Sequence, residues 1–356
     1  MSFTDAGFSS KDLANGPGNK KLGNVGGAAA DRELDSRSPV AVPPSGGEPL
    51  SASDEISTKA ASSVALHSNR PVFLMCPPRL YDVDYVINPW MAGNVHRSSR
   101  ERASEQWDAL YRAVSEVAQV LLVEPQPGSP DMVFTANAGL ARQGVVALSS
   151  FFHPERQGEE PHFRRWFREA GFTVLDVPRE TPFEGEGDAL FEADGSRLWA
   201  GHGQRTIEAS QRYLRAAWGV EVIGLGLVDP RFYHLDTCFA PLHGGYAMYF
   251  PEAFDAESLA RIEQHYAPEK RILVSEADAV HFACNAVNVG RTVILNQVSA
   301  ELTAKLESCG FNVVQVLLSE FLKAGGAAKC LVMRLSEMDV THPMPAVQHV
   351  LAGSAA

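Results

Sequence analysis

One phrase recurs along the chain: an amphipathic helical stretch, often closed by a glycine, that runs straight into Val, Ile, Leu and Phe. It stands in "FRRWFREAGFTVLDVP", "RYLRAAWGVEVIGLGL" and "LTAKLESCGFNVVQVLL", and without the glycine in "LYRAVSEVAQVLLVEP" and "LARIEQHYAPEKRILVSE". A glycine past the last helical turn takes the left-handed backbone that ends a helix, and a continuous apolar run after it reads as a strand buried on both faces. The runs begin near residues 119, 172, 220, 271 and 312. A period of roughly 40 to 50 residues marks a repeated supersecondary module.

Each copy continues into a second strand, and in four copies a third follows across a turn: "VFTANAGLARQGVVALS", "DALFEADGSRLWAG", "TCFAPLHGGYAMYF" and "CNAVNVGRTVILN". Gly, Asp and Asn at the joints are hairpin chemistry. The fifth copy has only "AKCLVMRL", so its missing strand is expected from the N-terminal "RPVFLMCPP". That pairing closes a ring of five modules and removes the exposed sheet edges. The expected fold is therefore α/β, a five-module α/β-propeller.

Composition sets the limits. With 356 residues, 45% hydrophobic and 21% charged, the chain has enough apolar surface for one large or two ordinary domains. Residues 1–70 are rich in Gly, Ser, Pro and Ala, with Phe3 and Phe8 as their aromatics, and read as a disordered leader. Asp5, Asp12, Asp31, Glu33 and Asp35 do not suit an acid-poor transit peptide. The folded domain is expected over 71–340, with a tail over 341–356. No apolar stretch long enough to span a bilayer and no secretory signal is present, so a cytoplasmic location follows by default. The net charge of −12 disfavours a nucleic-acid partner and weakly favours a small cation. Cysteines 76, 238, 284, 309 and 330 are odd in number, with no CxxC, so reduced thiols are expected rather than disulfides or structural zinc. No metal, cofactor or membrane is implied, and a homo-oligomer is compatible with the sequence.

A ring brings equivalent positions of its modules together at the axis. Reading the residues at or just before each second strand gives Asn137, Asp188 with Glu184 nearby, His234 with Asp236, Asn285, and Cys330. Polar and reactive groups stand where a packed core asks for Val or Leu. A thiol becomes a nucleophile where an imidazole or a positive potential lowers its pKa, and several carboxylates facing one pocket call for a cation. With no metal-ligand pattern, the substrate is expected to supply that cation, and a planar guanidinium fits carboxylates bidentately.

The segments "FTANAG", "FEGEGD", "FYHLDT" and "GGAAKC" resemble the signature segments of the guanidine-modifying (pentein) superfamily. The similarity runs from about Pro71 to Leu335. Within it, "FLMCPPRLYDVDYVINPWM", "PFEGEGDAL", "RFYHLDTCF" and "LKAGGAAKC" are most similar to the arginine dihydrolase type; such chains often carry a further C-terminal domain, and this sequence stops at residue 356. The resemblance implies a cysteine-dependent hydrolase of the arginine guanidinium group. Cys330 would be the nucleophile, His234 the general acid and base, and Asp236 and Glu184 the carboxylates that bind the guanidinium. "EGEGD" is longer than the deiminase "EGGD", which leaves the division of roles between Glu184 and Asp188 open. Arg205 resembles the arginine that holds the substrate α-carboxylate, against the alternative of an ordinary surface arginine. Asn88 before Pro89 either presents its amide to the pocket or makes an Asn-Pro turn. Asn285 is read as structural, and His202 and His243 as loop histidines.

Deiminases carry an aspartate where this chain has Asn137. A carboxylate accepts hydrogen bonds only, whereas a carboxamide also donates, so Asn137 is expected to hold a citrulline ureido group for a second attack. The expected reaction converts L-arginine to L-ornithine, carbon dioxide and two ammonia. The alternatives are a single-step deiminase or dimethylarginine dimethylaminohydrolase, and, from another class, a non-catalytic arginine sensor.

Overall fold

The computed structural model describes residues 70–336. Five sheets of three strands make up the fold, and in each the central strand has one antiparallel and one parallel neighbour. Gly139–Arg142 and Val145–Leu148 form a hairpin, helix Glu160–Glu169 crosses over, and Thr173–Asp176 returns parallel to the second strand. The same order recurs in Ala189–Phe191, Arg197–His202 and Glu221–Gly226, in Phe239–Leu242, Tyr246–Tyr249 and Arg271–Leu273, and in Val287–Val289, Thr292–Leu295 and Asn312–Gln315. In the fifth sheet Val72–Met75 is central, antiparallel to Met333–Ser336 and parallel to Gln119–Leu122. The first described strand thus pairs with the last, as the ring-closure argument requires, and the molecule is a five-module α/β-propeller.

One feature differs from the sequence reading. The strand after each helix pairs with the hairpin before it, not with the one that follows. The physical reason is the crossover: a helix reverses the chain and returns it parallel to the strand it left, which needs no further reversal.

The helices form where the sequence supplies a cap and a stripe. Ser99 accepts from the Arg102 amide at the start of Arg100–Val117, which buries Ala103, Trp107, Leu110 and Val114 on one face. Asp255 and Ser299 cap Ala256–His265 and Ala300–Ser308 in the same way, each such cap contributing about 1 kcal/mol. Gly219, at φ 62°, ends Gln211–Trp218. Among the described residues no helix is long and apolar enough to cross a membrane.

Short turns immediately precede the inner strands, and they carry the polar axis. Asn137 lies in Thr135–Ala138, Glu184 and Asp188 flank Gly185–Gly187, His234 precedes Leu235–Thr237, which contains Asp236, and Asn285 and Cys330 lead into their own strands. All seven side chains are buried. The leader over 1–69 and the tail over 341–356 lie outside the described residues.

Candidate active site

Cys330 sits between two partners. Its Sγ is 3.3 Å from Asp236 Oδ2 and accepts from Asn285 Nδ2 at 3.1 Å. Asn285 also accepts, through Oδ1, from the backbone amides of Cys330 and Ala327, so the residue that the sequence marked as structural both ties down the "GGAAKC" loop and touches the sulfur. Burial, with the Asp236 carboxyl beside it, pushes the Cys330 thiol up from its ordinary pKa. The resting sulfur is therefore a neutral thiol.

Asp236 is wholly buried, and its Oδ1 has no hydrogen-bond partner among the described residues. Burial raises its pKa to about 7, against the pull of the Lys329 ammonium. A buried carboxylate oxygen without a donor costs free energy until a donor arrives. Here that carboxyl lies next to the sulfur.

His234 belongs to a second polar group. Its Nε2 is 2.8 Å from Glu184 Oε2, while its Nδ1 faces Asn137 Nδ2 at 3.5 Å. Although burial alone would raise it, Arg205 and His234 hold the Glu184 carboxyl below the usual range, so Glu184 accepts and Nε2 carries the proton. The free lone pair is then on Nδ1, toward Asn137. Both Glu184 oxygens are occupied: Oε1 accepts from the Phe152 amide, and Oε2 from Arg205 as well as His234. In this structure Glu184 orients the imidazole. Asp188 accepts from Thr206 Oγ1 at 2.6 Å and from the Leu235 amide, with His234 Nε2 at 3.9 Å; burial raises its pKa to about 6. Among the described residues no hydrogen bond joins Cys330 to His234 directly.

The glycines of "EGEGD" are explained by this packing. A Cβ on Gly187 would overlap Asn137 Nδ2 and come within 3.2 Å of the His234 ring, and Gly185, at φ 60°, lies against the backbone of Ala136 and Gly139. The intervening Glu186 turns the other way and binds Lys329 Nζ at 2.6 Å and the Arg334 amide.

A narrow pocket reaches Cys330, lined also by Asn88, Asp131, Asn137, Arg156 and Arg205. Arg205 is buried, stacked over Tyr233, and bonded to Glu184 and the Ile87 carbonyl, so it is not a surface arginine. Asn88 makes the turn: Oδ1 caps Pro89–Met91 and Nδ2 donates to the Ala324 carbonyl, and the residue lines the pocket. Arg156 and Asp131 were missed by the sequence reading. They lie outside the repeated positions, Arg156 in the short helix Pro154–Gln157, and a lone arginine in "HPERQ" has no local signal. A larger cavity, lined by Glu186, Phe191, Asn288, Lys329 and Arg334, shares no lining residue with this one and contains neither Cys330 nor His234.

Five three-stranded modules with a buried thiol, an imidazole held by a carboxylate and a second buried carboxyl beside the sulfur are the architecture of the pentein class. Residues 84–337 match the family described as N,N dimethylarginine dimethylhydrolase, eukaryotic, and the chain belongs to that family. It is 59% identical over 264 residues to the bifunctional arginine dihydrolase/ornithine cyclodeaminase of Synechocystis sp., covering 74% of this chain and 37% of that protein. It is 36% identical to the N(G),N(G)-dimethylarginine dimethylaminohydrolase of Mycobacterium tuberculosis, covering 74% of this chain and 85% of the relative. The chain thus spans little more than a third of the length of the bifunctional relatives it matches. Crystal structures of the N-terminal domain of the Synechocystis protein superpose with TM-scores of 0.74 at 58% identity, over 75% of this chain and 98% of theirs. One is an asparagine-to-serine variant covalently bound to a reaction intermediate, the other a cysteine-to-serine variant bound to substrate. The asparagine and cysteine replaced there stand as far apart in sequence as Asn137 and Cys330.

Proposed function

We propose that this chain is an arginine dihydrolase. The observation that carries the reading is the buried Asp236 carboxyl, whose Oδ2 lies 3.3 Å from the Cys330 sulfur and whose Oδ1 has no partner among the described residues, a receptor for a planar cation near the point of attack. Arg205, which lines the same pocket as Cys330, offers guanidinium donors, and Asp131 offers a second buried oxygen without a partner among the described residues. That set complements an α-carboxylate and an α-ammonium. The ligand is an amino acid with a cationic, planar end.

The chemistry follows from the two partners of the sulfur. A guanidinium on Asp236 neutralises the charge that keeps the thiol protonated, and its own positive field favours the thiolate. The thiol proton is taken up by His234 Nδ1, Sγ attacks the guanidinium carbon, and the imidazolium returns that proton to the nitrogen that leaves as ammonia when the C–N bond breaks. An S-alkylthiouronium remains. Nδ1 of His234, the nitrogen with the free lone pair, then removes a proton from water; the hydroxide adds, the C–S bond breaks, and citrulline forms.

Asn137 permits a second round. Its carboxamide donates to the ureido oxygen of citrulline, where a carboxylate would oppose it. A second attack expels the terminal nitrogen as ammonia, and water releases an ornithine carbamate that loses carbon dioxide. Two waters are consumed per arginine.

The reading that stops at citrulline differs in stoichiometry. Incubation with L-arginine should give ornithine as the main product and about two ammonia per arginine consumed, as two attacks require. Citrulline with about one ammonia would overturn the second step, and no turnover would favour an arginine sensor. We place the activity in the cytoplasm, because all five cysteines are free thiols and persist as such in a reducing compartment.

A further inference from the structure

Asn137 has two faces, and a buried ion pair decides which of them meets the substrate. Arg156 Nη1 donates to Asn137 Oδ1 at 2.8 Å. A guanidinium has donors and no acceptor, so the oxygen of the amide must be the atom turned toward Arg156. The NH₂ group is thereby aimed the opposite way, toward the Glu184 carbonyl at 3.4 Å and His234 Nδ1 at 3.5 Å. Arg156 is itself fixed. Its Nε and Nη2 make a two-pronged pair with Glu159 at 2.9 and 2.8 Å, Nη2 also reaches the Asp131 carbonyl at 3.1 Å, and its guanidinium lies over the Phe151 ring.

We infer that Glu159, acting through Arg156, is the positioning residue that presents the donor half of Asn137 to the substrate, and so commits the enzyme to the second hydrolysis. The inference rests on the dihydrolase reading and goes beyond it, because Glu159 is wholly buried and does not line the cavity. It touches neither the substrate nor the sulfur. Its two oxygens are spent on Arg156, and its influence reaches the reaction through one guanidinium and one amide.

The first round needs little from this chain of bonds, since a guanidinium presents only N–H groups and either face of an amide leaves Asp236 to bind it. The second round needs the donor face, because the ureido oxygen of citrulline accepts. The same orientation leaves the His234 Nδ1 lone pair facing a donor rather than a second acceptor.

The test is the partition of product. Glu159→Gln keeps the shape but places an NH₂ against the guanidinium donors, so Arg156 loses one of its two bonds and its hold on Asn137 Oδ1 loosens. Turnover of added citrulline should fall roughly tenfold or more, the scale of one lost charge-assisted hydrogen bond. Consumption of arginine should fall less, and free citrulline should accumulate. Glu159→Asp, which keeps the charge, should restore part of the ornithine yield. In an Asn137→Asp background, which already stops at citrulline, the further change to Gln at 159 should leave the rate of arginine consumption unaltered, because a relay through the amide of Asn137 cannot act where both oxygens accept.

Variant enzyme that remains folded by circular dichroism and thermal melting yet keeps the wild-type ratio of ornithine to citrulline would overturn the inference. So would additive losses in the double variant. If Glu159→Gln does not fold, the Glu159→Asp variant carries the same comparison, and an unchanged ratio there has the same meaning. A wild type that yields only citrulline would instead overturn the dihydrolase reading, so the two failures are told apart by the wild-type product alone.

Discussion

Cys330 Sγ and Asp236 Oδ2 lie 3.3 Å apart in a buried site, and the other oxygen of that carboxylate meets no donor among the described residues. The pair is arranged to be uncomfortable until a cation enters. Burial and the Asp236 carboxyl hold the proton on the thiol, and burial raises Asp236 in turn; we propose that an entering cation favours the ionised form of both.

For the thiol, the consequence is low reactivity at rest. Alkylation of the free enzyme by iodoacetamide at Cys330, followed by peptide mass spectrometry, should accelerate only well above pH 9, since burial and Asp236 hold the proton on. Rapid labelling at pH 7 would show a preformed thiolate. Cys330→Ala should lose activity by about a million-fold, the scale of nucleophile deletions.

Asp236 sets an acid limb. Its pKa of about 7 is that of the free enzyme, so kcat/KM for arginine should fall as pH drops below about 7. Stability should move the opposite way. The folded-state pKa is above the unfolded value of about 3.9, so between these values the native state holds a proton that the unfolded chain has released, and stability is lost as pH rises through that window. Asp236→Asn should be inactive, yet more stable than wild type at pH 8 by a few kcal/mol, on the order of the shift, with the gain vanishing near pH 4. Equal stabilisation at both pH values would refute the assignment.

Asn137→Asp tests the step that separates the two hydrolases. The variant should still bind arginine, through stronger charge-assisted bonds, but should release citrulline and about one ammonia, because two acceptors would face each other in a dry site. Ornithine persisting as its main product would show that the amide is not the deciding group.

Glu184→Gln should damage both function and fold. It removes the acceptor that fixes the His234 Nε2 proton and leaves buried Arg205 without its ion-pair partner. A cost of about 3–5 kcal/mol is expected, as for other broken buried pairs, together with a kcat reduced roughly 100-fold or more. Urea unfolding and steady-state rates at 25 °C would measure the two separately.

The fold was legible because repetition is: five helix-to-strand phrases and five polar positions ahead of inner strands survive in one dimension. The residues found by that comparison are all buried and fall into two polar groups, Cys330 with Asp236 and Asn285, and His234 with Glu184, Asp188 and Asn137. What the sequence could not show is which oxygen faces which donor. Glu184 reads as a receptor for guanidinium until the structure places its oxygens against His234, Arg205 and the Phe152 amide. Asn285 looks inert until its amide is seen beside the sulfur. Arg156 belongs to a short helix outside the repeated positions and Glu159 to the turn after it, and their meaning exists only through Asn137.

The pairing of Val72–Met75 with Met333–Ser336 has a bearing on how the molecule comes into being. Cys330 and the strand that latches the circle are synthesised after every other described element, while the partner strand has waited since nearly the start of the domain. A nascent chain therefore has no partial chemistry to misfire: its thiol joins Asn285 and Asp236 in the same event that seals the seam. Contacts so distant in sequence are slow to form, and we expect maturation of this enzyme to be timed by that last closure.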